Sequence, residues 1–310
     1  MIAQRKWARS ARFPGSPVLL ALLAACDGMR GGDPNPLIEL ERLAFVPAAR
    51  CEIVPAGRVF ATGVPLLVDM FEVTRGDWLR YAQDLDWDER VRAVFAGWQP
   101  GTENWPASFM TQAEACAYAA SRGMRLLSSN EWVVCSLWPR CQRYPWGEIP
   151  QESIANTLQL DLDPPRPTPV GTFEGGRTSC SCYDMLGNVW EWCTDLLAAE
   201  YPTRTQVSAL GGSYLSHERP IVPDKVYTSF FAQILDPRGR HVDVGFRCAA
   251  PAREWLREHA GRVPLDSETR ARLRAVGRRW GPAAEPLLRE LTGDDRAPEP
   301  LWLLLEGARS

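Results

Sequence analysis

Histidine is scarce in this sequence, since the 310 residues contain only three. So few imidazoles argue against a metal centre built from several histidines. An excess of charge of one sign is lacking too, because 35 basic residues face 38 acidic ones. The chain therefore has no basic footprint for nucleic acid, and no nucleic-acid partner is expected. No tandem repeat of useful period is visible. What is present is 45% hydrophobic residues, 13 Trp and 26 Pro, which excludes wholesale disorder and favours an aromatic, loop-rich fold.

The N-terminus has the features of an export signal. Basic residues between Arg5 and Arg12 precede a short apolar run, residues 18–23, which is too short to remain in a bilayer as a spanning helix. The following LAAC resembles the bacterial lipobox, in which the cysteine is lipidated. Residues 1–26 are thus predicted to be a lipoprotein signal peptide, with Cys26 as the membrane anchor of an exported cell-envelope protein. The sequence does not determine which membrane leaflet carries the anchor. An ordinary secretory signal that ends at Ala-Ala is the alternative to a lipoprotein signal.

Eight cysteines remain once Cys26 is set aside. An even number in an exported chain predicts up to four disulfides, in pairings that the sequence does not determine. A zinc site is the competing interpretation, although no CxxC is present.

Composition divides the rest of the chain into three parts. Residues 27–44 are predicted to be a tether, residues 45–250 a loop-rich body, and residues 251–310 a small helical extension without cysteine. Within the body, a Ser or Thr followed three positions later by an acidic residue predicts three helix starts, at Thr74 (Asp77), Thr111 (Glu114) and Ser128 (Glu131).

The segment YDMLGNVWEW, residues 183–192, is the most informative in the chain. It resembles the signature of the formylglycine-generating enzyme (sulfatase-modifying factor) family. Five further segments match that family in order: FEVT (71–74), GMRLLSSNEW (123–132), YPWG with AN (144–147, 155–156), GGSY (211–214) and GFRC (245–248). After FEVT the family has Asn, and this chain has Arg75. The resemblance implies an α+β, loop-rich body with the C-type-lectin-like fold of the family, followed here by the helical extension.

The same resemblance implies structural calcium. The family's ligand positions fall here on Asp184, Gly187, Val189 and Glu191, as carboxylates and backbone carbonyls of one turn, and such oxygen ligands suit calcium. A hydrogen-bonded turn without an ion is the alternative. The family's second calcium site begins at Asn156 and the Thr157 carbonyl, with Asp161 and Asp163 as candidate further ligands.

The catalytic pattern departs from the family. Its members oxidise a cysteine with O2, using copper held by two thiolates of a G-G-S-[YW]-x-C-H-x-x-x-C loop, and Cu(I) needs those sulfurs. Here Ser216 and Ile221 occupy the two cysteine positions, while Ser213 and His217 are retained. Copper is therefore not expected, and no catalytic residue is predicted. Four charged residues are candidates to line the old groove or to form ion pairs that close a loop: Glu218, Arg219, Asp243 and Arg247.

Three functional hypotheses remain. The first is a membrane-anchored, catalytically inactive member of the family that binds an envelope protein or peptide through its loops. The second is a family enzyme, oxidoreductase-like, with an unrecognised active site; a triad of His217, His241 and His259 is disfavoured because the three are scattered. The third is a structural part of the envelope that packs through its helical extension.

Overall fold

The structure is a computed structural model, described here for residues 36–53, 58–83, 85–197, 206–221, 231–294 and 296–310. The predicted signal peptide and Cys26 lie outside these residues. None of the described helices is long and apolar enough to cross a bilayer.

The body is built around a four-stranded antiparallel sheet with the strand order β1-β4-β10-β5. Its strands are β1 (Leu43–Val46), β4 (Leu66–Asp69), β5 (Arg125–Leu126) and β10 (Cys248–Pro251). Every residue of β1 and β4 is buried, in agreement with the continuous apolar run of β1 and with that of β4 up to its last residue, the charged Asp69. Strand β10, the last of the body, thus pairs with β4 from the early part of the body and with β5 from its middle.

A second four-stranded sheet carries the motif-rich part of the chain, in the order β8-β7-β6-β9. Its strands are β6 (Trp190–Trp192), β7 (Val207–Leu210), β8 (Ala232–Leu235) and β9 (Val244–Gly245), and β6 pairs with β9 in parallel. Because β9 and β10 are separated by only two residues, the segment between them joins the two sheets. Arg247 occupies this junction.

A separate hairpin consists of β2 (Arg50–Ile53) and β3 (Arg58–Ala61). A disulfide between Cys51 and Cys141 ties it to the chain 90 residues further on. The remaining six cysteines of the described body are free thiols, so of the up to four expected disulfides one is present among the described residues. Five of them are buried, and such cysteines behave as small apolar core residues.

Within the described ranges, the body has five α-helices: α1 (Pro36–Arg42), α2 (Arg75–Ala82), α3 (Glu89–Ala96), α4 (Gln112–Ser121) and α5 (Ser129–Leu137). The three predicted starts are confirmed, because Thr74, Thr111 and Ser128 each accept a hydrogen bond from the third residue of the helix that follows. The predicted tether is wrong for its described part. Residues 36–42 form α1, which buries Leu37 and Leu40, and β1 begins immediately after it.

The C-terminal extension contains α6 (Ala252–His259), α7 (Ser267–Trp280), α8 (Glu285–Leu291) and α9 (Glu299–Arg309). Helix α7 packs against α1 and α9. The indole nitrogen of Trp280 donates to the Leu43 carbonyl oxygen at 2.8 Å, and Arg272 pairs with Glu41 at 2.6 Å. The extension therefore packs against α1 and β1 of the body.

Candidate functional site

The loop before β6 takes three left-handed backbone conformations within five residues, at Asp184, Gly187 and Asn188, with φ of 56°, 86° and 59°. A Cβ at Gly187 would lie 2.5 Å from the Asn156 carbonyl oxygen, so only glycine fits this approach. The same carbonyl accepts a hydrogen bond from the Asn188 amide at 2.7 Å. The loop is therefore held against residues 155–157, the start of the second predicted calcium segment.

Glu191 lies in β6 and is 1% exposed. Arg247 donates to both of its oxygens, from Nη2 to Oε1 at 2.6 Å and from Nε to Oε2 at 2.8 Å. The indole nitrogen of Trp132 donates to Oε2 as well, at 2.7 Å. Both oxygens of this predicted calcium ligand are thus already engaged by protein donors.

Arg247 itself is in the core, not in the groove. Besides Glu191 it donates to the carbonyl oxygens of Asp69, Met70 and Tyr183, at 3.1, 3.1 and 2.8 Å. It is 1% exposed, so its placement among groove-lining residues is wrong.

Two further buried carboxylates, Glu72 and Asp184, lie near this pair. Glu72 accepts from the side-chain amide of Asn188 at 2.7 Å and from the Val189 amide at 3.1 Å, while Asp184 accepts from the Gly171 amide at 2.7 Å. Burial, followed by the charges of Asp184 and Glu191, raises the pKa of Glu72 well above its usual value. Burial also raises the pKa of Asp184 to about 6. Three carboxylates thus surround one guanidinium, and the excess is negative.

Calcium can be tested against this arrangement. The negative excess suits a divalent cation, and Asp184 lies on the same loop as Gly187 and Val189, the predicted carbonyl ligands. Glu191 does not suit a calcium ion, because Arg247 and Trp132 already donate hydrogen bonds to both of its oxygens. Within the described ranges, no three His, Cys, Asp or Glu side chains are arranged as a metal cluster. The residues fit calcium in charge but not in the geometry of Glu191, and the site stays a prediction.

Glu72 was not among the predicted site residues, although it is the acidic residue of the FEVT segment. It is fully buried and bonds to the turn 116 residues further along the chain. An acidic residue inside an apolar stretch was the available signal, but the sequence did not show which backbone it meets.

The second predicted calcium segment borders a small cavity of about 70 Å³. Asn156, Thr157, Asp161 and Tyr214 contribute to its lining, whereas Asp163 does not. The buried Thr157 hydroxyl has no hydrogen-bond partner. The Asn156 side-chain nitrogen donates to the Arg166 carbonyl oxygen at 3.0 Å. Of the two candidate aspartates, the structure thus brings only Asp161 to this segment.

Residues 211–221 form the loop in which the family pattern has its two copper-binding cysteines, and we call it the former copper loop. Hydrogen bonds between hydroxyl and carboxyl groups hold it in place. The Ser213 hydroxyl donates to Asp243 Oδ2 at 2.7 Å and lies 3.2 Å from the Ser216 hydroxyl. Ile221 is buried at 1% exposure, and its amide donates to the Arg143 carbonyl oxygen. One former thiolate position is therefore a hydrogen-bonded hydroxyl and the other a buried alkyl group, and neither is a ligand for Cu(I).

The other residues of this region have separate environments. His217 is exposed on the loop, the ring of His241 lies 6.0 Å from that of Trp192, and His259 stacks on Trp255 at 4.3 Å. The Arg219 guanidinium lies over the Phe231 ring at 4.6 Å, and the Glu218 amide bonds to the Gln159 side chain at 2.8 Å. The three imidazoles thus lie on separate segments, one of them exposed and the other two beside different indole rings.

Residues 50–252 match the family model of the sulfatase-modifying factor enzyme 1-like domain. This is more than half of the chain, so the protein belongs to that family. The predicted α+β fold with a C-type-lectin-like body is confirmed. Among solved structures, PvdO from Pseudomonas aeruginosa has a TM-score of 0.50 at 20% identity, covering 67% of this chain and 93% of that one. The Treponema denticola variable protein 1 also has a TM-score of 0.50, at 15% identity, covering 67% and 94%. These likenesses show the fold alone.

Two groups of curated relatives are similar in sequence. The hercynine oxygenase of Mycolicibacterium thermoresistibile is 41% identical over 97 residues, which is 30% of this chain and 21% of that protein. The formylglycine-generating enzyme of Thermomonospora curvata is 28% identical over 174 residues, covering 47% and 56%. The matched part is thus about a fifth of the length of the first relative and about half of the second.

Proposed function

We propose that this protein is a membrane-anchored lipoprotein of the bacterial cell envelope whose sulfatase-modifying-factor-like domain is catalytically inactive and binds a protein or peptide. The observation that carries the proposal is the pair of substitutions at the copper positions. Ser216 is hydrogen-bonded to Ser213, and Ile221 is buried among apolar atoms. Without thiolates at these positions, the loop has no means of holding the redox metal.

The surface around the altered loop supports a binding role. Leu215 and Val242 are exposed large apolar residues, 44% and 55% accessible, and they flank the contact between Ser213 and Asp243. That contact fixes the two loops to each other, because it joins residues 30 positions apart. Apolar side chains on loops held by a rigid body are typical of protein and peptide recognition.

Structural calcium is the cofactor that we propose, at the loop of Asp184, Gly187, Val189 and Glu191. A bound calcium ion would supply positive charge to the cluster of buried carboxylates. Asp184 would bind it directly, while Glu191 would have to share its oxygens between the ion and Arg247. The second segment, with Asn156 and Thr157, is proposed more weakly.

A family enzyme with a different active site is the alternative. It is favoured by the 41% identity over 97 residues to a protein named hercynine oxygenase. A chain that spans about a fifth of that relative does not carry over the activity of the whole protein.

Copper binding tests the loss of catalysis. The purified protein is titrated anaerobically with Cu(I) against a competing chelator, alongside the double variant Ser216→Cys/Ile221→Cys. We expect the wild type to bind no stoichiometric copper and the double variant to gain a site. One tightly bound equivalent in the wild type, or O2-dependent oxidation of a cysteine-containing peptide, would overturn the proposal.

Binding is tested with a photo-crosslinking amino acid placed at Leu215 in the full chain within native envelopes. Trp302 on α9 is the matched control, because its exposure of 42% is close to the 44% of Leu215. We expect a discrete crosslinked product from position 215 and none from position 302. Products from position 302 alone would favour the structural hypothesis, in which the helical extension makes the contact.

A further inference from the structure

Arg75, the first residue of α2, is a buried cation without a carboxylate partner. Its side chain is about nine-tenths buried. Nη1 donates to the Thr102 hydroxyl at 3.0 Å, and the buried Nε has no hydrogen-bond partner. Among the described residues, no Asp or Glu forms an ion pair with it. Two other largely buried arginines of the described part of the chain differ, since Arg122 pairs with Asp69 and Arg247 with Glu191.

Two indole rings enclose the guanidinium of Arg75. Its Cζ lies 5.0 Å from the centroid of Trp98 and 5.1 Å from that of Trp105. Contacts of this kind compensate part of the cost of desolvation but provide no counter-charge. Burial lowers the pKa of Arg75 to about 10, so the group still carries its charge at neutral pH.

The position of Arg75 on its helix adds to this cost. The N-terminus of a helix carries partial positive charge, which disfavours a cation and favours an anion. Asp77, the acidic residue of the same turn, does not relieve Arg75, because its carboxylate is bound by Arg42 and Arg80. Glu103, on the same loop as Trp105, accepts from the Gly101 amide at 3.1 Å. The positive charge at this point is therefore uncompensated.

The uncompensated charge of Arg75 lies close to the former copper loop. Tyr214, in the GGSY segment, lies within electrostatic range of both Arg75 and Asp243. Trp98 is buried, whereas Trp105 and Tyr214 are only partly buried. Of the three aromatic rings near Arg75, those of Trp105 and Tyr214 are therefore the ones that solvent reaches, and Tyr214 is followed in the chain by the exposed Leu215.

We propose that Arg75, with Trp98, Trp105 and Tyr214, forms a subsite that accepts a carboxylate of the bound peptide. This inference rests on the proposed peptide-binding function and names the ligand chemistry of one of its subsites. The free Nε–H and the charge of Arg75 suit a planar carboxylate acceptor, and the Tyr214 hydroxyl is a neighbouring donor. One guanidinium neutralises one carboxylate, whereas a phosphate dianion would leave net negative charge beside the indole faces.

The first experiment uses the full chain and small probes. The side-chain Nε–H resonance of Arg75 is observed by NMR, assigned by its loss in Arg75→Gln, and titrated with N-acetyl-glutamate, N-acetyl-glutamine and inorganic phosphate. We expect a saturable shift with N-acetyl-glutamate and none with the neutral amide. Equal shifts with both compounds, or a shift with phosphate alone, would overturn the carboxylate assignment.

The second experiment compares two immobilised hexapeptide libraries that differ only in Glu or Gln at one fixed position. We expect the wild type to prefer the Glu library by at least about tenfold, and Arg75→Gln to lose this preference. Arg240→Gln is the matched control, because Arg240 also lies over an indole, that of Trp87, but is paired with Glu114. The control should keep the preference, and Arg75→Lys should keep part of it if the variant melts like the wild type.

The outcomes separate the two proposals. Peptide binding without a preference for Glu would overturn the subsite and leave the binding function standing. A saturable N-acetyl-glutamate shift without any peptide binding would overturn the binding function, and Arg75 would then be a carboxylate site that takes a ligand other than a peptide. Absence of both would overturn both.

Discussion

Glu191 and Arg247 face each other across the junction of the two sheets, and each is 1% exposed. The pair joins β6 to the segment between β9 and β10, so it fixes the two sheets to each other. A charge buried to this degree is costly to leave without its partner.

Glu191→Gln should therefore lower the free energy of unfolding by about 3–5 kcal/mol, because it removes the only carboxylate that is directly paired with the buried Arg247 among the described residues. Urea unfolding followed by near-UV circular dichroism measures the change. Asp236→Asn is the control, because its partner Arg238 is 84% exposed and their ion pair lies at the surface. A loss in Glu191→Gln no larger than in this control would contradict the role of the pair.

Calcium should raise the melting temperature of the wild type, because an ion that binds only the folded state stabilises it by about 2.7 kcal/mol at a hundredfold excess over its dissociation constant. Asp184→Asn should abolish this rise, and Asp161→Asn should retain it. Differential scanning calorimetry with and without EDTA provides the measurement. Loss of the rise in Asp161→Asn alone would place the ion at the second segment.

Asp77 should contribute to stability against acid. Burial raises its pKa, but the hydrogen bond and charge of Arg42, with Arg80 and Thr74, more than offset this and hold the pKa at about 2. A carboxyl whose pKa is depressed in the folded state stabilises the protein above its unfolded pKa, and this contribution is lost as the pH falls from about 4 to 2. Asp77→Asn should remove stabilisation on the order of 2 kcal/mol at neutral pH. Equal acid sensitivity of the wild type and the variant, measured by urea unfolding, would refute this assignment.

Gly277 on α7 and Gly307 on α9 allow the two helices to touch. A Cβ at Gly277 would lie 2.1 Å from the Leu304 carbonyl oxygen, and one at Gly307 would lie 2.2 Å from that of Arg274. Gly277→Ala should therefore cost about 1–3 kcal/mol of stability through overpacking. Gly261→Ala, where the nearest atoms are 3.8 and 3.9 Å away, should leave the melting temperature unchanged. Similar melting temperatures for both variants would show that the helices can separate at little cost.

Cys26→Ser should release the protein from membranes without unfolding it, because it removes the predicted site of lipidation. Fractionation of cells that express the full chain, followed by circular dichroism of the released protein, tests both parts. Persistent pelleting of the variant with membranes would argue for another anchor.

Helix starts could be predicted because each depends on residues three positions apart. The capping pairs at Thr111 and Ser128 form as expected, with Glu114 and Glu131 closing the reciprocal bonds. By contrast, α1 was missed. It is only seven residues long, and it is stabilised by burial of Leu37 and Leu40 and by packing against α7, which lies more than 200 residues away in the sequence.

For the candidate site, too, some features could be predicted from the sequence and others could not. The ordered motifs identified the family, and the replacement of two cysteines by Ser216 and Ile221 is a property of the sequence itself. The partners of Glu191 and Arg75 were not accessible from it. Nothing in the spacing of 56 residues between Glu191 and Arg247 indicates that they meet, and an arginine after FEVT does not show that it lacks a counter-ion.

The sequence by itself determined the capped helix starts and the presence of Ser216 and Ile221 at the two positions of the family's cysteines, because both depend on residue type and short spacing. Only the tertiary structure decided which buried charges are compensated. That depends on which strands become neighbours: β6 and β9 bring Glu191 to Arg247, whereas the loop packed on α2 brings two indoles to Arg75 and no carboxylate.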